Sequence, residues 1–228
     1  MKLTYFGHSA FQIEIRGTRL LFDPFITGNK HTQGVITPEN LHPDFILLTH
    51  AHPDHWGDTV AIAERTNAVV VGTHEIVEYL GRNHGYTNVQ PMNTGGSWRF
   101  EWGRVKWVMA RHSSSFPDGT YGGSPNGIIL EVEGKVVYNT CDTAPFAEME
   151  WIGQDYRVDV CLMPIGDCYT QGPRDAVRSA RMIRPAVTLP LHYNTFPLIE
   201  VDVDEWVQLM SDAGFETRVP RPGETVEF

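Results

Sequence analysis

Hydrophobic positions in the first part of the chain fall in short runs and alternations. Residues 3–6, 11–15 and 19–22 alternate apolar with polar side chains or carry brief apolar runs, with Gly7 and Gly17 as punctuation. This pattern predicts three antiparallel strands. Residues 45–48 form an apolar run too brief for a helix, which reads as a buried strand. Beyond it, residues 59–65 predict a helix, 68–71 a strand, and 74–82 a helix with Ile76, Val77 and Leu80 on one side.

At Ser97 the pattern returns to strands. Residues 98–102 and 105–109 flank a Gly103-Arg104 turn suited to a hairpin, and 127–132 and 135–139 flank Glu133-Gly134. Alternation of helix and strand then resumes: helix 146–152, buried strand 158–163, helix 173–183 opened by Pro173, strand 186–191, and helix 203–213 stopped by Gly214. Strands followed by alternating β and α, twice over, predict an α/β fold in which two sheets pack face to face with helices outside. No linker divides residues 1–228, so a single domain is expected. Residues 24–44 lack a hydrophobic period and carry Gly28, Gly34, Pro38 and Pro43. A connection of that length inside a domain predicts a mobile flap that closes over a binding cleft, with an inert surface excursion or an oligomer contact as the alternatives.

Composition narrows the function classes. At 228 residues, 41% apolar and 20% charged, the chain reads as an ordinary globular protein with room for a substantial core. A net charge of -10 argues against nucleic acid or an anionic membrane as the main partner. It favours a small-molecule substrate and leaves homo-oligomer formation open. Cys141, Cys161 and Cys168 are odd in number and lack close pairing, so a disulfide framework is not expected and a reducing cytoplasm is. No run approaches the ~20 apolar residues a spanning helix needs, and the N-terminus lacks a leader pattern.

The chemistry concentrates at residues 47–57, Leu-Leu-Thr-His-Ala-His-Pro-Asp-His-Trp-Gly. His50 and His52, two apart, share a side if the chain stays extended, and the turn at Pro53 brings Asp54 and His55 to a second point. Imidazole and carboxylate donors suit Zn, Mn, Ni or Fe, and the lack of Cys weighs against a closed structural zinc site. Further strand ends deliver His112, Asp142 and His192. Each is weak alone; their recurrence at strand ends predicts one cleft. His8 follows the first strand, and Asp23 ends the third, where it can orient a ligand histidine. Asp167 and Tyr169 are candidates for the same role or for the pocket wall, while His31, His42, His74 and His84 are left without assignment.

The spelling His-x-His-x-Asp-His, followed by His112, Asp142 and His192, resembles the ligand set of the metallo-β-lactamase superfamily across essentially the whole chain. Gly7-His8-Ser9 and residues 191–197, Leu-His-Tyr-Asn-Thr-Phe-Pro, are similar to a branch of small metal-dependent hydrolases related to ascorbate-6-phosphate lactonase. The flavin-linked diiron oxidoreductases of the superfamily typically carry Glu and Asp where this chain has Ala51 and Pro53, so the hydrolase pattern fits better. The resemblance implies a four-layer αβ/βα sandwich and two divalent transition-metal ions. It puts His50, His52 and His112 on one ion, Asp54, His55 and His192 on the second, and Asp142 between them. It also implies that a metal-bound hydroxide oriented by Asp54 attacks a small anionic ester, lactone or phosphoester. His8 is implied to lie against the metal centre, as ligand or proton shuttle. A phosphodiesterase or nuclease, or a metal-binding sensor without turnover, are the competing readings.

Overall fold

A computed structural model describes all of Met1–Phe228. The first sheet contains β1 (Lys2–Gly7), β2 (Ala10–Ile15), β3 (Thr18–Phe22), β4 (Phe45–Leu47), β5 (Val69–Thr73) and β6 (Val89–Met92). The second contains β7 (Ser97–Phe100), β8 (Gly103–Met109), β9 (Asn126–Val132), β10 (Lys135–Asn139), β11 (Val160–Pro164), β12 (Val187–Leu191) and β13 (Glu216–Thr217). A final strand, β14 (Thr225–Glu227), returns to the first sheet beside β1. In each sheet the hairpin-connected strands pair antiparallel and the later strands parallel, as helical crossovers require.

The short runs become strands because each has a use for both faces. On β3, β4 and β5, Leu20, Leu47 and Val71 enter the core between the sheets, while their neighbours Leu21, Ile46 and Val70 enter a second core. That second core is completed by Ile62 and Ala63 of α2 (Thr59–Thr66) and Ile76 and Leu80 of α3 (His74–His84). Strands covered on both sides are expected to be continuously apolar, as these are. The outer face of the second sheet is covered by α4 (Met149–Asp155), α5 (Pro173–Ile183) and α6 (Val203–Asp212), whose Met149, Ile152, Ala180, Ile183, Trp206 and Met210 are buried. The result is the helix–sheet–sheet–helix sandwich expected from the order of elements.

Three expectations are corrected. The helix expected over 146–152 begins later, at Met149, and runs through Gly153 to Asp155. A Cβ on Gly153 would lie 2.3 Å from the Met182 carbonyl oxygen, so glycine serves the close approach of α4 to α5. Strands β13 and β14 went unseen, being too short to show a period.

The third correction concerns residues 24–44, which do not form a free flap. Ile26, Asn29, Thr32 and Leu41 are buried. Asp58 accepts from the backbone N–H groups of Ile26 (3.0 Å) and Thr27 (2.7 Å), and the Thr32 hydroxyl donates to the Ile26 carbonyl at 2.7 Å. Arg65 donates to the carbonyls of Pro38 and Leu41. Asp58 and Arg65, with the segment's own Thr32, satisfy its backbone, so it packs without needing a hydrophobic period.

Candidate metal centre

The candidate residues gather at one end of the sandwich. His8, Asp23, Asp142 and His192 follow β1, β3, β10 and β12; His50 and His52 follow β4; His112 follows β8. Asp54 and His55 lie in α1 (Pro53–Trp56), a single turn that Pro53 opens. Backbone bonds from His192 N to His8 O and from Asn126 N to Thr49 O, both 3.0 Å, join the two sheets here. His8, Asp23 and His192 have φ of 58°, 40° and 50°, left-handed conformations uncommon for residues other than glycine and concentrated at functional sites.

Three groups of metal-ligating atoms result: His50, His52 and His112; His8, Asp54, His55 and His192; and His50, His55 and Asp142. In the first, His50 Nε2 lies 3.1 Å from His52 Nδ1, which lies 3.3 Å from His112 Nε2. Two donors each ~2.0–2.1 Å from a tetrahedral zinc ion stand about 3.3–3.4 Å apart, so these nitrogens are spaced as ligands. Asp142 Oδ2 lies 3.0 Å from both His55 Nε2 and His192 Nε2, and 3.9 and 3.8 Å from His50 and His112. One carboxylate oxygen thus faces both groups. Asp54 Oδ2 lies 3.1 Å from His8 Nε2 and 3.5 Å from His192 Nε2. The donor set fits divalent transition-metal ions.

Supporting contacts hold the donors. Buried Asp23 accepts from His55 Nδ1 (2.9 Å), from the Thr49 backbone N–H (2.8 Å) and from the Thr49 hydroxyl (2.7 Å). His8 Nδ1 lies 2.9 Å from Thr195 Oγ1, and His52 Nε2 3.4 Å from Ser113 Oγ. Burial pushes the Asp23 carboxyl up, against the opposing pull of His55 and Thr49.

The field of the metal-free site divides the histidines. Burial, with the His192 charge beside it, pushes His8 down to about 4, and burial pushes His112 to about 4 as well. Burial also holds His50 well below and His52 below the usual imidazole value. Burial opposes charge on His192 too, but the facing Asp142 and Asp54 carboxylates outweigh it and hold it up at about 9. His55, between Asp142 and Asp23, is raised well above its ordinary value despite burial. Asp54 and Asp142 are likewise held well below the carboxylate range, burial being overcome by the histidines around them.

The cluster opens into a cavity of about 270 Å³ lined by His52, Asp54, His112, Ser113, Asp142, Tyr169 and His192. A larger surface cavity of about 750 Å³, between residues 15–18 and 99–102, holds none of the ligand groups. Tyr169 lines the cleft, as one of its two expected roles. Asp167 does not line it; its Oδ1 accepts from the adjacent Cys168 N–H at 2.8 Å. His31 bonds the Asn194 carbonyl (2.9 Å), His42 meets Arg65 (3.2 Å), and His74 and His84 belong to α3. Thr49, Ser113 and Thr195 went unseen in the sequence, although each stands within three residues of a metal-ligating candidate.

Comparison with known proteins shows the family. Residues 2–192 match the model of a beta-lactamase superfamily domain. A UPF0173 metal-dependent hydrolase of Salinibacter ruber is 50% identical over 225 residues, covering 99% of each chain. A relative of the same description from Thermus thermophilus is 45% identical over 228 residues, covering 100% of this chain and 99% of its own. The structure of a metallo hydrolase from the hyperthermophilic archaeon Ignicoccus hospitalis superposes with a TM-score of 0.90 at 39% identity, covering 100% of this chain and 98% of the other. With its sandwich and its gathered histidines and carboxylates, this chain belongs to the metal-dependent hydrolases of the beta-lactamase superfamily.

Proposed function

We propose that the hydrolase works through two divalent transition-metal ions, Zn, Mn, Ni or Fe, and that its substrate is a small ester, lactone or phosphoester. His50, His52 and His112 would hold one ion and Asp54, His55 and His192 the other, with Asp142 shared. The carrying observation is the single Asp142 oxygen, 3.0 Å from the second histidine pair and within 3.9 Å of the first. Bound there, the cations would acidify a shared water and polarise the bond to be cleaved.

The chain's own groups supply the rest. Asp54 is ionised and its side chain 24% exposed against 3% for Asp142, so Asp54 meets the attacking water and orients it. His8, neutral at physiological pH, points Nε2 at Asp54 and completes the second ligand group or serves as a proton shuttle. Ser113 and Tyr169 offer uncharged hydrogen bonds to the substrate. No Lys or Arg lines the cavity, so a negative group on the substrate would find its positive partner in the cations. The same absence, with the net charge of -10, disfavours a nucleic-acid backbone. The three unpaired cysteines suit a reducing cytoplasm.

Protein stripped of metal and reloaded with each candidate ion would be assayed against lactone, phosphodiester and thioester panels. Turnover on one class that chelator abolishes is the expected outcome. Stoichiometric metal in a His52→Ala, Asp54→Ala double variant by elemental analysis would overturn the ligand assignment.

A further inference from the structure

Ligand histidines must present a lone pair to an ion, so each has to carry its proton on the other nitrogen. For His55 the device is direct, since Nδ1 donates to Asp23 Oδ2 at 2.9 Å and Nε2, facing Asp142, is the nitrogen an ion would take. His50 has no carboxylate at its Nδ1. What lies there is Thr49 Oγ1 at 3.0 Å, with Cys141 Sγ at 3.5 Å as a weak second neighbour.

A hydroxyl has one hydrogen and two lone pairs. Thr49 spends its hydrogen on the same Asp23 oxygen, at 2.7 Å, while its backbone N–H holds the other Asp23 oxygen at 2.8 Å. With that hydrogen committed, Thr49 Oγ1 can only accept from His50 Nδ1. Asp23, Thr49, His50 and His55 are all buried, so no solvent competes for these bonds. We infer that Thr49 is a positioning residue that carries the influence of Asp23 to His50, so that one buried carboxylate sets the proton position on a ligand of each metal group. His50 Nε2 is thereby kept free, facing His52 and His112.

This inference rests on the proposed ligand role of His50, and its test separates the two. Side-chain nitrogen correlations by NMR on the metal-free protein report the tautomer without any ion. Zinc titration against a competing chelator reports the affinity. The parent is expected to show His50 protonated on Nδ1. Thr49→Val, which keeps the backbone bond to Asp23, is expected to weaken one zinc site about 10–100-fold while the other holds. Thr49→Ser, which restores the hydroxyl, is expected to stay within about threefold of the parent. His50 protonated on Nε2 in the parent overturns the inference even if the valine variant does not fold. Equal zinc affinity in parent and Thr49→Val, or a serine variant as weak as the valine one, overturns it too. A parent that binds no zinc while showing the Nδ1 tautomer would instead refute the metal-site reading and leave the relay standing.

Discussion

Metal loading at pH 7.5 is expected to expel about two protons from the protein. In the metal-free site His192 is held up at about 9 and His55 is raised well above its ordinary value, so both are almost fully protonated at that pH. His8 and His112, at about 4, and His50 and His52, also lowered, are neutral and release nothing. Asp54 and Asp142 are already ionised. The same six histidines, unperturbed, would together release only about 0.5 proton, because each is about one-tenth protonated there. Displacing the His192 proton alone costs about 2 kcal/mol at pH 7.5, so that proton should make apparent affinity climb about tenfold per pH unit until pH ~9. Calorimetric zinc titrations in buffers of different ionisation enthalpy measure the proton count. A count of about one half or below would refute the division of charge derived for the cluster.

The same shifts govern stability without metal. A raised His192 contributes stability that is fully present below its unfolded pKa of ~6.5 and is lost as pH rises through about 9, a change of order 3 kcal/mol. Thermal melts of the metal-free protein should therefore fall between pH 7 and 10, and a flat profile would contradict this. Asp54→Asn should keep the fold yet lose at least about 100-fold in turnover, since the amide lacks the charge that would bind the ion and orient the water; steady-state assays with melting curves check both halves. Gly153→Ala should cost about 1–3 kcal/mol in denaturant unfolding, because the added Cβ meets the Met182 carbonyl oxygen at 2.3 Å. Deleting residues 29–34 should lower the melting temperature, as it removes buried Asn29 and Thr32 with their bonds; an unchanged melt with altered turnover would restore the flap.

Much of the molecule was legible along the chain because the signals are local. A strand of four to seven residues declares itself by alternation or by a short apolar run, and the repeated order of elements limited the sheets to a two-layer stack. The ligand candidates were legible because metal binding needs a narrow set of side chains, and those stood where predicted strands ended. Pro53 and Gly214 marked a helix start and stop by backbone restriction alone.

What the tertiary structure decided is everything that depends on distance between separate strands. No spacing reveals that Asp142 Oδ2 lies equally near His55 and His192, or that Asp23 reaches Thr49 and His55 together. Residues 24–44 misled because absence of a hydrophobic period was taken for freedom, whereas Asp58 and Arg65 supply its bonds from another element. The use of Gly153 was hidden because a close approach shows only once the neighbouring helix is in place. The proton positions were equally hidden, since burial and the facing carboxylates that set them exist only once the two sheets have met.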